Sequence, residues 1–139
     1  SFHCISLAGL SDLTKLVGQS RAYVGSGPGA IITALTNMKS RNGLIQLDEV
    51  DKINLSNNQD PGRALLSILD PVQNQYFRDE YLAIPYDLSS TQFILTANTI
   101  KNIPPELLDR MRIIEICGYS KQEKMNIAKH LLFTARFIG

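Results

Sequence analysis

The sequence has few cysteines and no long hydrophobic run. Its two cysteines, Cys4 and Cys117, each lie in a short apolar stretch of the 139 residues. We therefore expect two buried, reduced thiols, with neither a disulfide nor a cysteine metal pair. No apolar run reaches the roughly 18 residues that a membrane span requires, and the first residues lack the layout of a signal peptide. These absences predict a soluble, intracellular chain with no membrane partner.

An excess of charge of one sign is also missing. Lys and Arg total 14 and Asp and Glu total 13, which gives a formal net charge of +1. A scattered, balanced charge produces no field that favours nucleic acid, so DNA binding is not indicated. Hydrophobic residues at 44% and charged residues at 19% are ordinary for a globular chain, and no internal repeat or low-complexity tract is present. The length suits one domain or part of one.

Apolar patterns predict strands that alternate with helices. The predicted strands cover residues 2–7, 44–47, 81–84, 92–97 and 112–116, and the predicted helices cover 29–40, 61–69 after an Asp60 cap, 104–111, and a segment beginning at the capping box Ser120 to Glu123. The strand at 81–84 is taken to end at Pro85 and to belong to an inserted hairpin. Such alternation predicts an α/β fold with a mostly parallel sheet sandwiched by helices, in which ligands gather at the strands' carboxyl ends.

Two carboxylates directly follow the strand at 44–47. Asp48 and Glu49 come at its carboxyl end, where adjacent side chains point to different sides. One carboxylate could then serve a Mg²⁺ shell while the other faces the water that attacks a γ-phosphate. In this interpretation Asp48 takes the first role and Glu49 the second. The alternative is a solvated acidic turn.

Two further polar residues follow later elements. Asn98 ends the strand at 92–97, and its amide could orient a water; the alternative is a turn-forming or helix-capping asparagine. Arg110 lies near the end of the helix at 104–111. It is either a cation that complements the helix dipole or an arginine finger for a neighbouring subunit, worth roughly 10³ to 10⁵ in rate. The finger role requires an oligomer.

A glycine-flanked loop carries an aromatic and an aliphatic residue. Tyr23 and Val24 stand between Arg21 and Gly25. Such a loop either exposes an apolar tip or packs as a hydrophobic staple against the next helix. The glycine-rich stretch at 25–29 is not a phosphate-binding loop, because no Lys-Ser or Lys-Thr follows it and Pro28 removes an amide. No G-x-x-x-x-G-K-[ST] pattern occurs elsewhere in the chain.

In order along the chain, these motifs resemble the AAA+ module of Lon proteases. The resemblance covers nearly the whole chain and is carried by Tyr23-Val24-Gly25, Leu47-Asp48-Glu49-Val50-Asp51-Lys52, Asp70-Pro71-Val72-Gln73-Asn74, Phe77-Arg78-Asp79, Thr96-Ala97-Asn98-Thr99 and Leu108-Asp109-Arg110-Met111. It implies a P-loop NTPase-like core, truncated before the Walker A motif, over residues 1–117. Residues 118–139 would then begin the helical lid.

The resemblance also implies an activity and partners. Lon proteases are ATP-dependent serine proteases that assemble as hexameric rings, unfold damaged or regulatory proteins and pass them to a protease domain. Asp48 and Glu49 would form Walker B with ATP and magnesium, Asn98 would be sensor 1, and Arg110 the arginine finger. Tyr23 and Val24 would be the pore-loop pair that grips substrate. Tyr119 would pack near the adenine, and the compartment would be bacterial cytoplasm, mitochondrial matrix or peroxisome.

Some positions depart from the family pattern. Gln46 replaces an aliphatic residue in the Walker B strand, and a buried amide there costs stability unless it is hydrogen-bonded. Arg112 stands where an acidic residue is common, so either Arg110 or Arg112 could be the finger. The Walker A lysine and the Ser-Lys protease dyad are absent from these residues, so the chain alone is expected to be inactive. A non-catalytic AAA+ assembly module and a non-proteolytic AAA+ remodeller are the alternative functions.

Overall fold

The computed structural model describes residues 1–8, 14–53 and 61–135 as an α/β fold. The strands are β1 (Phe2–Ser6), β2 (Leu44–Asp48), β3 (Phe77–Arg78), β4 (Pro85–Tyr86) and β5 (Gln92–Leu95), and the α-helices are α1 (Thr14–Val17), α2 (Ala30–Met38), α3 (Pro61–Leu69), α4 (Pro105–Leu108) and α5 (Lys121–Ala135). Short 3-10 helices follow β2 at Val50–Lys52 and precede β3 at Asn74–Tyr76. None of the helices in the described part of the chain is long and apolar enough to cross a membrane.

The main sheet is parallel, as the alternation of elements predicts. Its strand order is β1-β2-β5, so β2 is the central strand. Ser6 is in register with Asp48, and Leu47 is in register with Leu95. Because all three strands run the same way, their carboxyl ends share one edge of the sheet. The residues that follow β2 and β5 are therefore neighbours in space.

Burial alternates along the strands and defines the core. Ile5 in β1 and both Ile45 and Leu47 in β2 are buried, whereas Cys4 is exposed. Helix α2 packs against β1 and buries four of its nine residues, Ile31, Ile32, Ala34 and Leu35. A fully buried Leu or Ile contributes about 1.5 to 3 kcal/mol relative to an exposed one. This shared core fixes β2 and, with it, the position of the site.

The helix ends follow local sequence signals. Helix α2 stops after Met38, where Lys39 adopts a left-handed conformation with φ of 52°. Helix α3 ends at Leu69, before Asp70-Pro71, as predicted; the Asp60 cap lies outside the described residues. At α5 the predicted capping box is confirmed: the Ser120 N–H donates to Glu123 Oε2 at 2.8 Å, and the Glu123 N–H donates to Ser120 Oγ at 3.3 Å.

The prediction of a strand at 81–84 is wrong. The hairpin instead pairs β3 with β4, so Pro85 belongs to a strand and is in register with Arg78. Residues 79–84 form the connecting turn, in which Ala83 has a φ of 58°. The Asp79 carboxylate accepts hydrogen bonds from the backbone N–H groups of Tyr81 and Leu82, which replaces strand pairing with a turn.

Three other predictions need correction. Residues 112–116 form no strand and are exposed; their composition suits a strand, but β5 pairs only with β2 among the described elements. The predicted helix at 104–111 spans only Pro105–Leu108. Cys4 and Cys117 are free, as expected, yet both are exposed rather than buried. Cys4 points away from the core because it alternates with Ile5, and Cys117 follows the unpaired segment.

Candidate functional site

Thr96 connects the ends of β2 and β5. Its hydroxyl donates to Asp48 Oδ1 and accepts the Glu49 backbone N–H at 3.1 Å. A hydroxyl has one proton to donate and lone pairs to accept, so both bonds form together. The main chain continues the connection, because Thr96 N–H donates to Leu47 O at 3.0 Å and Val50 N–H donates to Thr96 O at 2.9 Å. Thr96 therefore fixes both carboxylate-bearing residues against the neighbouring strand.

Glu49 has an unusual backbone conformation. Its φ of 60° and ψ of 47° lie in the left-handed region, which costs a non-glycine residue roughly 1–2 kcal/mol. The bond to Thr96 and the one from the Lys52 N–H to Glu49 O at 3.0 Å hold it there. Strained residues of this kind cluster at functional sites. The outlier therefore marks the end of β2 as a candidate site.

The Glu49 side chain forms an ion pair with Lys52. Nζ of Lys52 contacts Oε1 of Glu49, three residues earlier. The hydrogen bond to Glu49 raises the pKa of Lys52 above its ordinary value, partial burial opposes this, and the charges of Asp51 and Asp48 add to the rise. Lys52 is consequently a cation throughout the neutral pH range. Lys52 is exposed and Glu49 only half-buried, so water reaches the pair and its contribution to folding stability is small.

Gln46 also turns its side chain toward Asp48. It is half-buried in β2, and its Nε2 lies 3.4 Å from Asp48 Oδ1. Residues two apart in a strand share a face, so the amide finds a partner at the carboxylate. The contact is long for a hydrogen bond, but it gives the amide of Gln46 a polar partner, which lowers the cost of placing an amide in this strand. Within the described residues, Gln46 and Thr96 both engage Oδ1 of Asp48 and leave Oδ2 available.

Asn98 follows Thr96 by two residues at the same edge of the sheet, and it is exposed. The turn after β5 is stabilised by Thr99, whose hydroxyl accepts the Lys101 N–H at 3.2 Å. The alternative role considered for Asn98 was to cap this turn, but Thr99 caps it instead. The structure thus brings Asp48, Glu49 and Asn98 to a shared sheet edge, as their positions after two strands predict.

Arg110 contacts a carboxylate at the end of α3. Its Nη2 lies 3.4 Å from Oδ2 of Asp70, which is almost fully buried. Asp70 also accepts the Val72 N–H at 2.9 Å and Gln73 Nε2 at 3.1 Å. The bond from Val72 lowers the pKa of Asp70 most, desolvation opposes it, and Gln73 and Arg110 lower it further. Helix α4 ends at Leu108, so Arg110 lies beyond the helix whose dipole it was considered to complement.

The remaining predicted site residues lie on exposed segments. Tyr23 is 62% exposed and Val24 fully exposed, which contradicts the hydrophobic-staple alternative. Tyr119 is 64% exposed and precedes α5, and Arg112 is exposed as well. The Gly29 N–H donates to Asp79 Oδ2 at 2.7 Å, so this amide is not directed at a phosphate. That bond agrees with the rejection of the 25–29 stretch as a phosphate-binding loop.

The site contains residues that sequence reasoning did not select. Thr96 and Lys52 lie inside quoted motifs, but only the pairing of β2 with β5 reveals what the Thr96 hydroxyl contacts. Asp70 was noted as the residue after a predicted helix and as part of a motif of the resemblance, but no role was predicted for its carboxylate. In the ranges 1–8, 14–53 and 61–135, no group of three or more His, Cys, Asp and Glu side chains could hold a metal ion alone.

Comparisons with known proteins identify a family and several relatives of this chain. Residues 2–119 match the profile of the family "AAA: ATPase family associated with various cellular activities (AAA)". "Lon protease homolog, mitochondrial" of Schizosaccharomyces pombe is 49% identical over 131 residues, which cover 94% of this chain and 12% of that protein.

Two other relatives carry similar names. "Lon protease homolog 2, peroxisomal" of Danio rerio is 49% identical over 132 residues, covering 94% of this chain and 16% of that protein. "Lon protease" of Methanosarcina barkeri is 52% identical over 129 residues, covering 92% of this chain and 16% of that protein. The chain thus spans 12 to 16% of the length of these relatives.

The names of these relatives do not favour a non-catalytic assembly module or a non-proteolytic remodeller. The profile match covers most of the chain, and the parallel sheet with flanking helices is the architecture that the resemblance implies. The chain therefore belongs to the AAA family of nucleotide-binding ATPases, as part of the AAA+ module of Lon-type proteases.

Proposed function

We propose that this chain works within a longer Lon-type protease, where ATP hydrolysis drives the unfolding and translocation of protein substrates into a protease chamber. The observation that carries the proposal is the Thr96 hydroxyl, which joins the Asp48 carboxylate to the Glu49 backbone where two parallel strands end. Parallel α/β sheets bind ligands beyond this edge. The site therefore occupies the place where a nucleotide is expected.

Within this proposal Glu49 is the general base that accepts a proton from the attacking water. Asn98, exposed at the same edge, orients that water through its amide. Positioned general bases contribute about 10²- to 10⁴-fold to rate. The Lys52 cation keeps a partner on the Glu49 carboxylate until the water takes its place.

Asp48 suits a magnesium shell. Mg²⁺ is usually held by one or two carboxylates together with waters and substrate phosphates, so a cage of three protein ligands is not needed. The Asp48 Oδ2 left available by Thr96 and Gln46 fits that pattern. When bound with ATP, the ion would neutralise charge on the phosphate oxygens. Gln46 and Thr96 meanwhile hold the carboxylate in a fixed orientation.

The other predicted residues act between subunits or on the substrate. A hexameric ring would bring Arg110, or Arg112, of one subunit to the γ-phosphate bound by its neighbour. Tyr119 would pack near the adenine where α5 begins the lid. Tyr23 and Val24, exposed at a loop tip, would grip unfolded or damaged proteins. The location would be the mitochondrial matrix or the peroxisome, which the names of two relatives support, or the cytoplasm if the source is bacterial.

The test is the Glu49→Gln substitution in the full-length protein. We expect the variant to bind a fluorescent ATP analogue with unchanged affinity while its hydrolysis falls by about 10²- to 10⁴-fold, because the amide cannot accept the proton. Glu106→Gln, at an exposed position of α4, is the matched control and should leave hydrolysis unchanged. Hydrolysis by Glu49→Gln at the normal rate would show that Glu49 is not the base.

A further inference from the structure

The loop that carries Tyr23 and Val24 has a closed base. We call residues 18–29 the tip loop. The Gln19 N–H donates to Gly27 O at 3.1 Å, which ties the two arms of the tip loop together. Turns inside the tip loop leave Tyr23 and Val24 exposed at its far end. The tip loop therefore projects from a closed base, which we call its root, and is not an open, irregular segment.

A buried carboxylate lies at this root. Asp79, in the turn between β3 and β4, is fully buried, and both of its carboxylate oxygens accept backbone hydrogen bonds. Oδ2 accepts the Gly29 N–H at 2.7 Å, and Oδ1 accepts those of Tyr81 and Leu82 at 2.9 and 3.0 Å. The bond to Gly29 spans 50 positions of sequence. Asp79 consequently joins one end of the tip loop to the hairpin turn.

The other end of the tip loop contacts the same turn. A Cβ atom at Gly18 would lie only 2.7 Å from Asp79 Oδ1, so the carboxylate packs directly on this glycine. Next to it, the Glu80 N–H donates to Val17 O at 2.8 Å. Further out, Arg21 Nε donates to Tyr81 O at 2.9 Å, and its guanidinium lies 4.8 Å from the centre of the Tyr81 ring.

These contacts exceed what a turn-capping aspartate needs. The bonds to Tyr81 and Leu82 alone would stabilise the turn, whereas the bond to Gly29, which is also the N-cap of α2, and the close packing on Gly18 hold the two ends of the tip loop. Hydrogen bonds to an ionised acceptor are roughly twice as strong as neutral ones, and a buried charge demands partners. A projection that pulls on a polypeptide must pass that force to the body of the protein, and glycine joints alone would bend.

We propose that Asp79 is a positioning residue that fixes the root of the tip loop, so that a pull on Tyr23 is transmitted to the β3-β4 hairpin. This inference rests on the proposed gripping role of Tyr23 and Val24. Replacing the carboxylate by an amide puts an NH₂ group opposite backbone N–H donors. The Asp79→Asn variant therefore loosens the root while nearly preserving side-chain volume.

The test measures ATP consumed per folded substrate degraded by the full-length protein. Cleavage of a short unstructured peptide, which needs no unfolding, reports how much folded and assembled enzyme each sample contains. Tyr23→Ala, Asp79→Asn and the double variant are compared with Asp87→Asn. Asp87 is the matched control because it caps a nearby turn through the Ser89 N–H at 2.9 Å, exposed to solvent. We expect Asp87→Asn to behave as the unmodified protein.

Tyr23→Ala and Asp79→Asn should each raise the ATP cost about fivefold or more. The double variant should cost no more than the worse single variant, because the effects of two residues that act through the same loop are not additive. A purely structural role for Asp79 would lower peptide cleavage, ATP use and degradation of the folded substrate together, and would leave the ATP consumed per folded substrate unchanged. The inference would be overturned if the two substitutions multiplied each other's effect on the ATP cost in the double variant, or if Asp79→Asn alone left the ATP cost unchanged. An unchanged ATP cost for Tyr23→Ala would instead overturn the gripping role of Tyr23.

If Asp79→Asn does not fold, Tyr81→Leu decides the matter. It removes the ring beneath Arg21 at a half-exposed position and leaves the tip loop's own sequence intact. We expect a smaller rise in ATP cost, which disappears in the Tyr23→Ala background. A Tyr81→Leu protein with normal peptide cleavage and a normal ATP cost would contradict the proposed transmission of force.

Discussion

Removing the hydroxyl of Thr96, the residue that follows β5, should disturb the candidate site more than a comparable loss at the other end of that strand. Thr96→Val keeps the shape of the side chain and deletes one hydrogen bond to the Asp48 carboxylate and one from the Glu49 N–H. A bond to a charged group contributes about 1.5–3 kcal/mol and a neutral one about 1 kcal/mol. Water can replace part of both, because Thr96 is only half-buried. We therefore expect the free energy of unfolding to fall by about 1–3 kcal/mol.

The same substitution should lower catalysis beyond its effect on stability. Glu49 would lose a bond that holds its left-handed backbone, and Asp48 would lose its firmest partner. A displacement of about 1 Å in a reacting group can cost about 10²-fold in rate. ATP hydrolysis per folded molecule of the full-length protein should fall accordingly, while a thermal melt gives the folded fraction.

Thr91→Val is the matched control for this experiment. Thr91 precedes the opposite end of β5, is buried, and donates one hydrogen bond to Arg41 O at 2.9 Å. Its loss should cost about 1 kcal/mol of stability and leave hydrolysis per folded molecule unchanged. A normal rate in Thr96→Val, or an equal drop in both variants, would refute the reasoning that Thr96 organises the site.

Two further predictions concern stability. Gly18→Ala and Gly25→Ala both place alanine at positive φ, +84° and +81°, but of the two new Cβ atoms only the one at Gly18 would meet a neighbour within 4 Å, Asp79 Oδ1 at 2.7 Å. Urea unfolding should therefore show a markedly larger loss of unfolding free energy for Gly18→Ala. Equal losses for the two variants would contradict the packing of Asp79 on Gly18. The second concerns Asp70, whose pKa is lowered from 3.8 in the folded state. Its charge stabilises the fold above that value, and the stabilisation is lost as pH falls through the lowered pKa, so the stability gap between the unmodified protein and Asp70→Asn should narrow below about pH 3.8. A gap that stays constant down to the acid transition would show that Asp70 is not charge-stabilised.

The sequence predicted the parts of the fold that depend on local pattern. Helix α2, the end of α3 and the capping box of α5 follow apolar spacing and terminal residues, which are local signals. The strands β1, β2 and β5 were found for the same reason. Their apolar runs lie between turn residues, and the order of elements was enough to predict parallel pairing.

What the sequence did not predict depends on distant partners. The turn at 79–84 exists because the Asp79 carboxylate gathers N–H groups from both sides, one of them 50 positions away. Residues 112–116 have strand composition, yet a strand requires a hydrogen-bonded neighbour. Within the site, the positions of Asp48 and Glu49 were predictable from the strand end. The contact of the Thr96 hydroxyl with Asp48 could not be predicted, because it depends on the pairing of β5 with β2.

The left-handed backbone at Glu49 affects how every replacement at that position is to be interpreted. With φ near 60°, a β-branched residue would add a conformational penalty unrelated to chemistry, and glycine would relieve one that the native chain carries. A variant such as Glu49→Val would therefore mix two losses, whereas Glu49→Gln isolates the carboxylate. Conversely, Glu49→Gly should abolish ATP hydrolysis and raise the melting temperature, which would separate thermal stability from catalysis at one residue.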